Sequence, residues 1–246
     1  MTSLHAPPAD LVDTRLALHR LAAYVIAPAR HRMTERFGLR AVDDGFGTPP
    51  FGGRQILVVG DQIIDRRDGE EDRTGTIGSL ADAAAFLGEA IDEVTAAEHD
   101  TPAAGDQAGA LAVGAEASRY LGAWFAMAFD ALHELRNDAA SVDASEPQLW
   151  PGHFDPAIEA GDDNHRASYG ASPGDASSDV PYLYISVWWP DRLSLDRGDP
   201  FWNAEKFVGA KKLVSQFDPA ADPVDEAIGF WRSARDHLAA MSPHPT

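Results

Sequence analysis

The chain of 246 residues has no cysteine. That excludes disulfides, thiolate zinc sites, iron–sulfur clusters and cysteine nucleophiles together. Lysine is nearly absent too: Lys206, Lys211 and Lys212 are the only three, and the other fixed positive charges are arginines. No apolar run approaches the length of a membrane span. The first stretch, MTSLHAPPADLVDTRLALHR, has no basic region followed by an apolar one, so no signal peptide is expected. Positive charge is scarce overall, with 20 Lys and Arg against 39 Asp and Glu and a formal net charge of -19. A field of that sign repels phosphate backbones and anionic bilayers, so neither nucleic acid nor membrane is an expected partner. The acidity reads as solubility or salt adaptation, and the expectation is a cytoplasmic protein.

What is present is a core. Hydrophobic residues make up 44% of the chain, enough to bury a sizeable interior at this length. Asp13 or Thr14 is placed to cap a first helix with an apolar face of Leu16, Leu18, Leu21, Ala22, Val25 and Ile26, ended or kinked by Pro28. A short strand FGLRAV follows, then DDGFGTPPFGG, whose glycines and prolines predict a loop or turn. RQILVVGDQIIDR reads as a hairpin turning at Gly60-Asp61, with RTGTIGS as a further strand. Ser79, with Asp82 three residues on, opens a helix expected to run through residue 98. HDTPAAGDQAGALAVG lacks periodicity and reads as a linker. AEASRYLGAWFAMAFDALHELRND is apolar almost all round, at Tyr120, Leu121, Trp124, Phe125, Met127, Ala128, Leu132 and Leu135, and predicts a central, buried helix.

The rest alternates again. QLWPGHFDPAIEAG reads as a strand interrupted by Pro151 and Pro156, HRASYGAS and YLYISVWW as strands, and the segment ending in VSQF as another. Asp222 or Pro223 opens a last helix, and SPHPT is expected to be a loose tail. Hairpin-length connections favour antiparallel pairing. The predicted fold class is therefore α+β, mostly antiparallel sheets packed by helices. Two similar helix–strands–helix halves are expected at 1–94 and 115–246, joined by a linker at 95–114 and packed as one compact unit, though no residue-level repeat supports a duplication.

Five short motifs follow one another along the chain: TRLALH at Thr14 to His19, GTPPFGG before the hairpin, HFDPAI after the central helix, then YLYISVW and ADPVDEAIGFW. That order resembles an uncharacterised bacterial, actinobacterial-type family of unknown function. The resemblance spans most of the chain and implies an order of elements, with no activity to carry over. The chain departs from the pattern in its acidic AGDDNHR stretch and its long linker.

Candidate chemistry concentrates after residue 149. His153, Asp155, Glu159, Asp162, Asp163 and His165 fall close together. On an extended strand His153 and Asp155 share a face, so with His165 from a neighbour they offer a zinc, iron or manganese site. The same His153, Asp155 and His165 are the candidate catalytic set for acid–base work, an imidazole with a carboxylate partner. Against both stand chance clustering in an acidic chain and Asp155 as a turn cap; no metal-ligand spacing is diagnostic. Neither a nucleophile elbow nor a phosphate loop is present, and no cofactor is named.

The aromatics give the leading alternative. Trp150, Tyr169, Tyr182, Tyr184 and Trp188 are candidate ligand-binding residues. Tyr182, Tyr184, Ser186 and Trp188 share one side of a strand, and Trp189 faces the other. In LWPGHFD, an extended chain puts Trp150 and Phe154 on one side and His153 and Asp155 on the other. Three functions follow: a small-molecule-binding protein with an aromatic-lined pocket in its C-terminal half; a metal-dependent or His/Asp enzyme; or a structural protein forming a homodimer through its aromatic surface.

Overall fold

The computed structural model describes residues 4, 6–93, 101–194 and 198–243. The chain separates into two compact units, Met1–Ala126 with Gln148–Asp155, and Met127–Pro147 with Pro156–Thr246. The architecture is α+β, as expected, with two five-stranded antiparallel sheets and their helices. Among the described residues no helix is long and apolar enough to cross a membrane.

In the first unit a helix covers Leu11–Leu21, passes through a π turn at Ala22–Ile26 and continues over Ala27–Thr34. It therefore starts before the expected caps. Thr14 lies inside it, and its hydroxyl accepts instead from the Gly114 N–H at 2.9 Å. Pro28 does not end the helix either. A proline removes one N–H and crowds the carbonyl four residues back. Here that carbonyl, on Tyr24, accepts from the Asp92 N–H at 2.9 Å, while the π turn widens the backbone just ahead of the ring.

The first sheet runs in chain order, β1 (Arg40–Val42), β2 (Gly45–Gly47), β3 (Arg54–Val59), β4 (Gln62–Arg67) and β5 (Arg73–Thr76). Strand β2 corrects the expectation of a loop in DDGFGTPPFGG. Its glycines are what let it pair: a Cβ on Gly45 or Gly47 would collide with the carbonyl of Val58 or Ile56 on β3. The β3–β4 hairpin forms as predicted, Val59 opposite Gln62, with Gly60 at φ 59° in the turn. Asp65 on β4 has a fully buried side chain and collects three guanidinium groups, Arg54 at 2.5 Å, Arg67 at 3.1 Å and Arg73 at 3.2 Å. Arg54 and Arg73 then donate to the carbonyls of Leu87 and Phe86, which ties the sheet to the end of the next helix.

That helix, Leu80–Leu87, is capped by Ser79, whose hydroxyl accepts from the Asp82 N–H at 3.0 Å. It stops at Gly88, φ 69°, well short of residue 98. A glycine in the left-handed region is a common helix terminator. Of the expected helix and linker, residues 94–100 lie outside the described residues, as do 244–246 of the expected tail. Residues 101–114 carry no regular element but are docked: Ala81 N–H donates to Gln107, Leu111 N–H to Gly78, and the Tyr24 hydroxyl to Pro102. The units divide inside the central helix, Ala115–Asn137, and not at 95–114.

The second sheet is also a meander, β6 (Gln148–Trp150), β7 (Asp155–Ala160), β8 (Ala167–Ser172), β9 (Tyr182–Val187) and β10 (Gly209–Leu213). The last helix, Pro223–Ala239, begins as predicted: Asp222 accepts from the Val224 N–H at 2.8 Å and Pro223 takes the first position. It buries Ala227, Ile228, Trp231, Ala234 and Leu238. Trp231 donates its indole N–H to the Tyr184 carbonyl at 3.1 Å, and Glu226 pairs with Lys212 on β10. This helix covers the sheet side formed by Leu183, Ile185, Val187 and Lys212. The described part of the expected loose tail is held, since Ser194 N–H donates to the Ser242 carbonyl at 3.1 Å.

Candidate functional site

LWPGHFD does not run extended. Residues 151–154 form a turn closed by the Phe154 N–H donating to the Trp150 carbonyl at 2.7 Å, with Phe154 at φ 57°. A bulky residue in the left-handed region is a genuine outlier, held only where the surroundings over-determine it. The surroundings are aromatic. Phe154 is fully buried against Phe46 and Phe125, with ring centroids at 5.1 and 5.2 Å, and stacks on His19 at 5.4 Å. The turn reverses the predicted faces: Phe154 goes in and Trp150 is 38% exposed, while His153 is exposed and Asp155 is buried. His153 and Asp155 therefore share no face, because the strand begins only at Asp155.

His19 is the residue this segment was built around. Its Nε2–H donates to the carbonyls of Pro151 at 3.0 Å and Gly152 at 3.1 Å, since carbonyls only accept. Burial disfavours the imidazolium and pulls its pKa from 6.5 down to about 4, against the two carbonyl contacts that favour it; His153 and Arg15 add like charge. His19 is thus a neutral staple at physiological pH.

His165 lies elsewhere, in the second unit. Its Nδ1 stands 3.0 Å from Asp162 and its Nε2 3.0 Å from the Met241 carbonyl. Both ring nitrogens already stand within hydrogen-bond distance of protein acceptors. Asp162 is held below the usual carboxylate range by the N–H groups of His165 and Asn164, burial opposing. Among the described residues no group of three or more His, Asp or Glu is placed to hold a metal ion.

The aromatic face is better assembled. Directly opposed residues of an antiparallel pair point to the same side. The register sets Ser168 against Ser186, Gly170 against Tyr184, and Ser172 against Tyr182, with Lys211 on the other flank of Tyr184. Tyr182, Tyr184 and Ser186 therefore share a side, as predicted. Trp188 joins them, its indole N–H donating to the Ser168 hydroxyl at 2.9 Å. Gly170 is required here because a Cβ would collide with the Tyr184 ring, which lies across it. Tyr182 is buried, donating to Asp175 at 2.7 Å. Tyr169 pairs with Ile185 and so belongs to the opposite side, buried toward the last helix, where desolvation raises its pKa.

At one end of this face Trp188 and Trp189 meet edge to face, centroids 6.1 Å apart and planes at 82°. They are 37% and 42% exposed. Each carries an arginine over its ring: Arg166 at 5.3 Å from Trp188 and Arg192 at 4.7 Å from Trp189. Arg166 is neutralised by Asp143 at 2.9 Å and Glu159 at 3.7 Å. Arg192 donates to the Asp163 carbonyl at 3.2 Å and has no carboxylate within ion-pair distance among the described residues. Sequence reasoning placed Trp189 on the side away from Trp188, whereas the strand ends at Val187 and the two indoles touch; it did not single out Arg192 or the stacking of Arg166. The three-residue step from Trp189 to Arg192 was the visible signal; the pairing of Arg166 with Trp188 depends on β8–β9 register.

Fold and site together define an α+β protein with a half-exposed aromatic sheet end flanked by arginine. Comparison with protein-family models, with curated proteins and with solved structures found no match.

Proposed function

We propose that this chain binds a small ring-bearing polar molecule at the Trp188–Trp189 end of the second sheet. One observation carries the reading: two adjacent indoles are left partly in water while arginines and a serine fix their orientation. Burying an aromatic side chain is worth roughly 1.5–3 kcal/mol, and each exposed cation–π contact about 0.5–1 kcal/mol. A fixed platform lowers the ordering cost of binding a flat ring. Arg192, which has no carboxylate partner among the described residues, favours a ring that also carries negative charge, such as a sugar acid. The His/Asp reading loses support, because His153 and Asp155 are on different sides of the surface and His165 is engaged at both nitrogens. The cytoplasmic setting and the motif-order resemblance stay with this proposal; the lack of cysteine, and of a membrane-length helix among the described residues, fits the former.

Tryptophan fluorescence titrated with glucose and with glucuronate tests the reading, with native mass spectrometry on the same samples. A saturable change, stronger for glucuronate and lost in Trp188→Ala and Trp189→Ala, supports it. No change with either probe, together with a dimer that both substitutions dissolve, overturns it in favour of the homodimer alternative.

A further inference from the structure

Arg30 is 8% exposed, yet no carboxylate among the described residues pairs with it. Its Nη1 donates to the Gly38 carbonyl, its Nε is buried without a partner, and no further acceptor among the described residues reaches the Nε–Nη2 edge. That edge is the side of the fork that grips two oxygens of one oxyanion. Arg20 and Arg136 also bury an Nε without a partner, Arg136 pairing its Nη2 with Glu146, but Arg30 is the most covered of the three. Arg54 spends its donors on Asp65, Glu89 and the Leu87 carbonyl, and Arg235 on Asp138 and Asp236. With 39 acidic residues against 20 Lys and Arg, carboxylates are not in short supply. A buried charge without a counterion is expensive, and an unsatisfied buried group calls for an explanation such as a bound ion.

The neighbourhood makes the deficit larger. Residues 30–40, RHRMTERFGLR, hold four arginines and one glutamate within a chain of net charge -19. Arg32 is paired with Glu89. Burial lowers the Arg30 pKa, and the exposed Arg36 is close enough to add to that by like charge. The helix ending at Thr34 points its negative end here, which offsets part of one charge and not two. The Gln148 side-chain amide lies against Gly38, whose carbonyl accepts from Arg30.

We infer that Arg30 and Arg36 bind a phosphate-type oxyanion at the turn that follows the second helix, Arg30 through its Nε–Nη2 edge and Arg36 from solvent. Two guanidinium groups match a dianion, which selects a phosphate or phosphomonoester over a simple carboxylate. The site is independent of the aromatic face.

Thermal denaturation of the full chain tests this, in inorganic phosphate, in a phosphomonoester such as glucose 6-phosphate, and in chloride at matched ionic strength. Phosphate should raise Tm above chloride. Arg36→Gln, on the surface, should weaken that binding at least about tenfold, the loss of one charged hydrogen bond. Arg30→Met should abolish it while leaving Tm in chloride no lower than wild type. A larger gain with the phosphomonoester assigns the oxyanion to a metabolite, and equal gains assign it to free phosphate. No gain over chloride, or the same gain in Arg36→Gln as in wild type, overturns the inference even if Arg30→Met does not fold.

Discussion

At the scale of single residues, His19 shows how much one side chain sets. It is a neutral donor to two carbonyls, stacked on a strained phenylalanine. Unfolded, it takes a proton near pH 6.5; folded, only near pH 4. Between those values the unfolded chain binds the extra proton, so the contribution is complete above pH 6.5 and is lost as pH falls toward 4. The loss is on the order of 3 kcal/mol. Urea denaturation at neutral pH and near pH 4.5 should show it, and His19→Gln should flatten the difference; an unchanged slope in that variant would assign the acid sensitivity to other groups. None of this was legible in the sequence, because His19 meets Pro151 across 132 positions.

At the scale of elements, alternation was a good guide where a strand really is extended. Tyr182, Tyr184, Ser186 and Trp188 fell on one side as their period of two requires. Tyr169 did not join them, because the side it takes depends on β8–β9 register, which no single strand reveals. Trp150 and Phe154 parted because a left-handed residue breaks the alternation. Glycine misled in the other direction, reading as loop at Gly45 and Gly47 where it serves close pairing. Gly122 on the central helix is a further case: a Cβ would collide with the main chain of Asp44 and Gly45. Alanine there gains about 1 kcal/mol of helix propensity, but overpacking against backbone costs roughly 1–3 kcal/mol. Gly122→Ala should therefore lower the urea midpoint, and a raised midpoint would show that β2 can yield.

At the scale of the whole molecule, the net charge of -19 acts on every element at once. Self-repulsion at that charge opposes the folded state, and salt screens it. Exposed pairs such as Arg66–Asp72 contribute little and lose little to screening, while the buried Asp65 cluster is shielded from it. Calorimetry in increasing sodium chloride should give a rising Tm. A falling Tm would mean that ion pairs outweigh repulsion, and the partly exposed pairs of Asp138 with Arg232 and Arg235 would be the first place to look.

The sequence by itself determined what depends on local rules and on sums: the absence of thiol chemistry, the acidic field, the Gly60-Asp61 hairpin, the Ser79 and Asp222 caps, the central helix and the α+β class. Those follow from residue types acting on neighbours a few positions away. Only the tertiary structure decided which residues assemble: His19 with Pro151, Arg166 with Trp188, and a buried Arg30 with no carboxylate beside it among the described residues. Such groupings rest on strand register, on where glycine lets two backbones approach, and on contacts closed across a hundred residues or more, and none of these is encoded in any one stretch of chain.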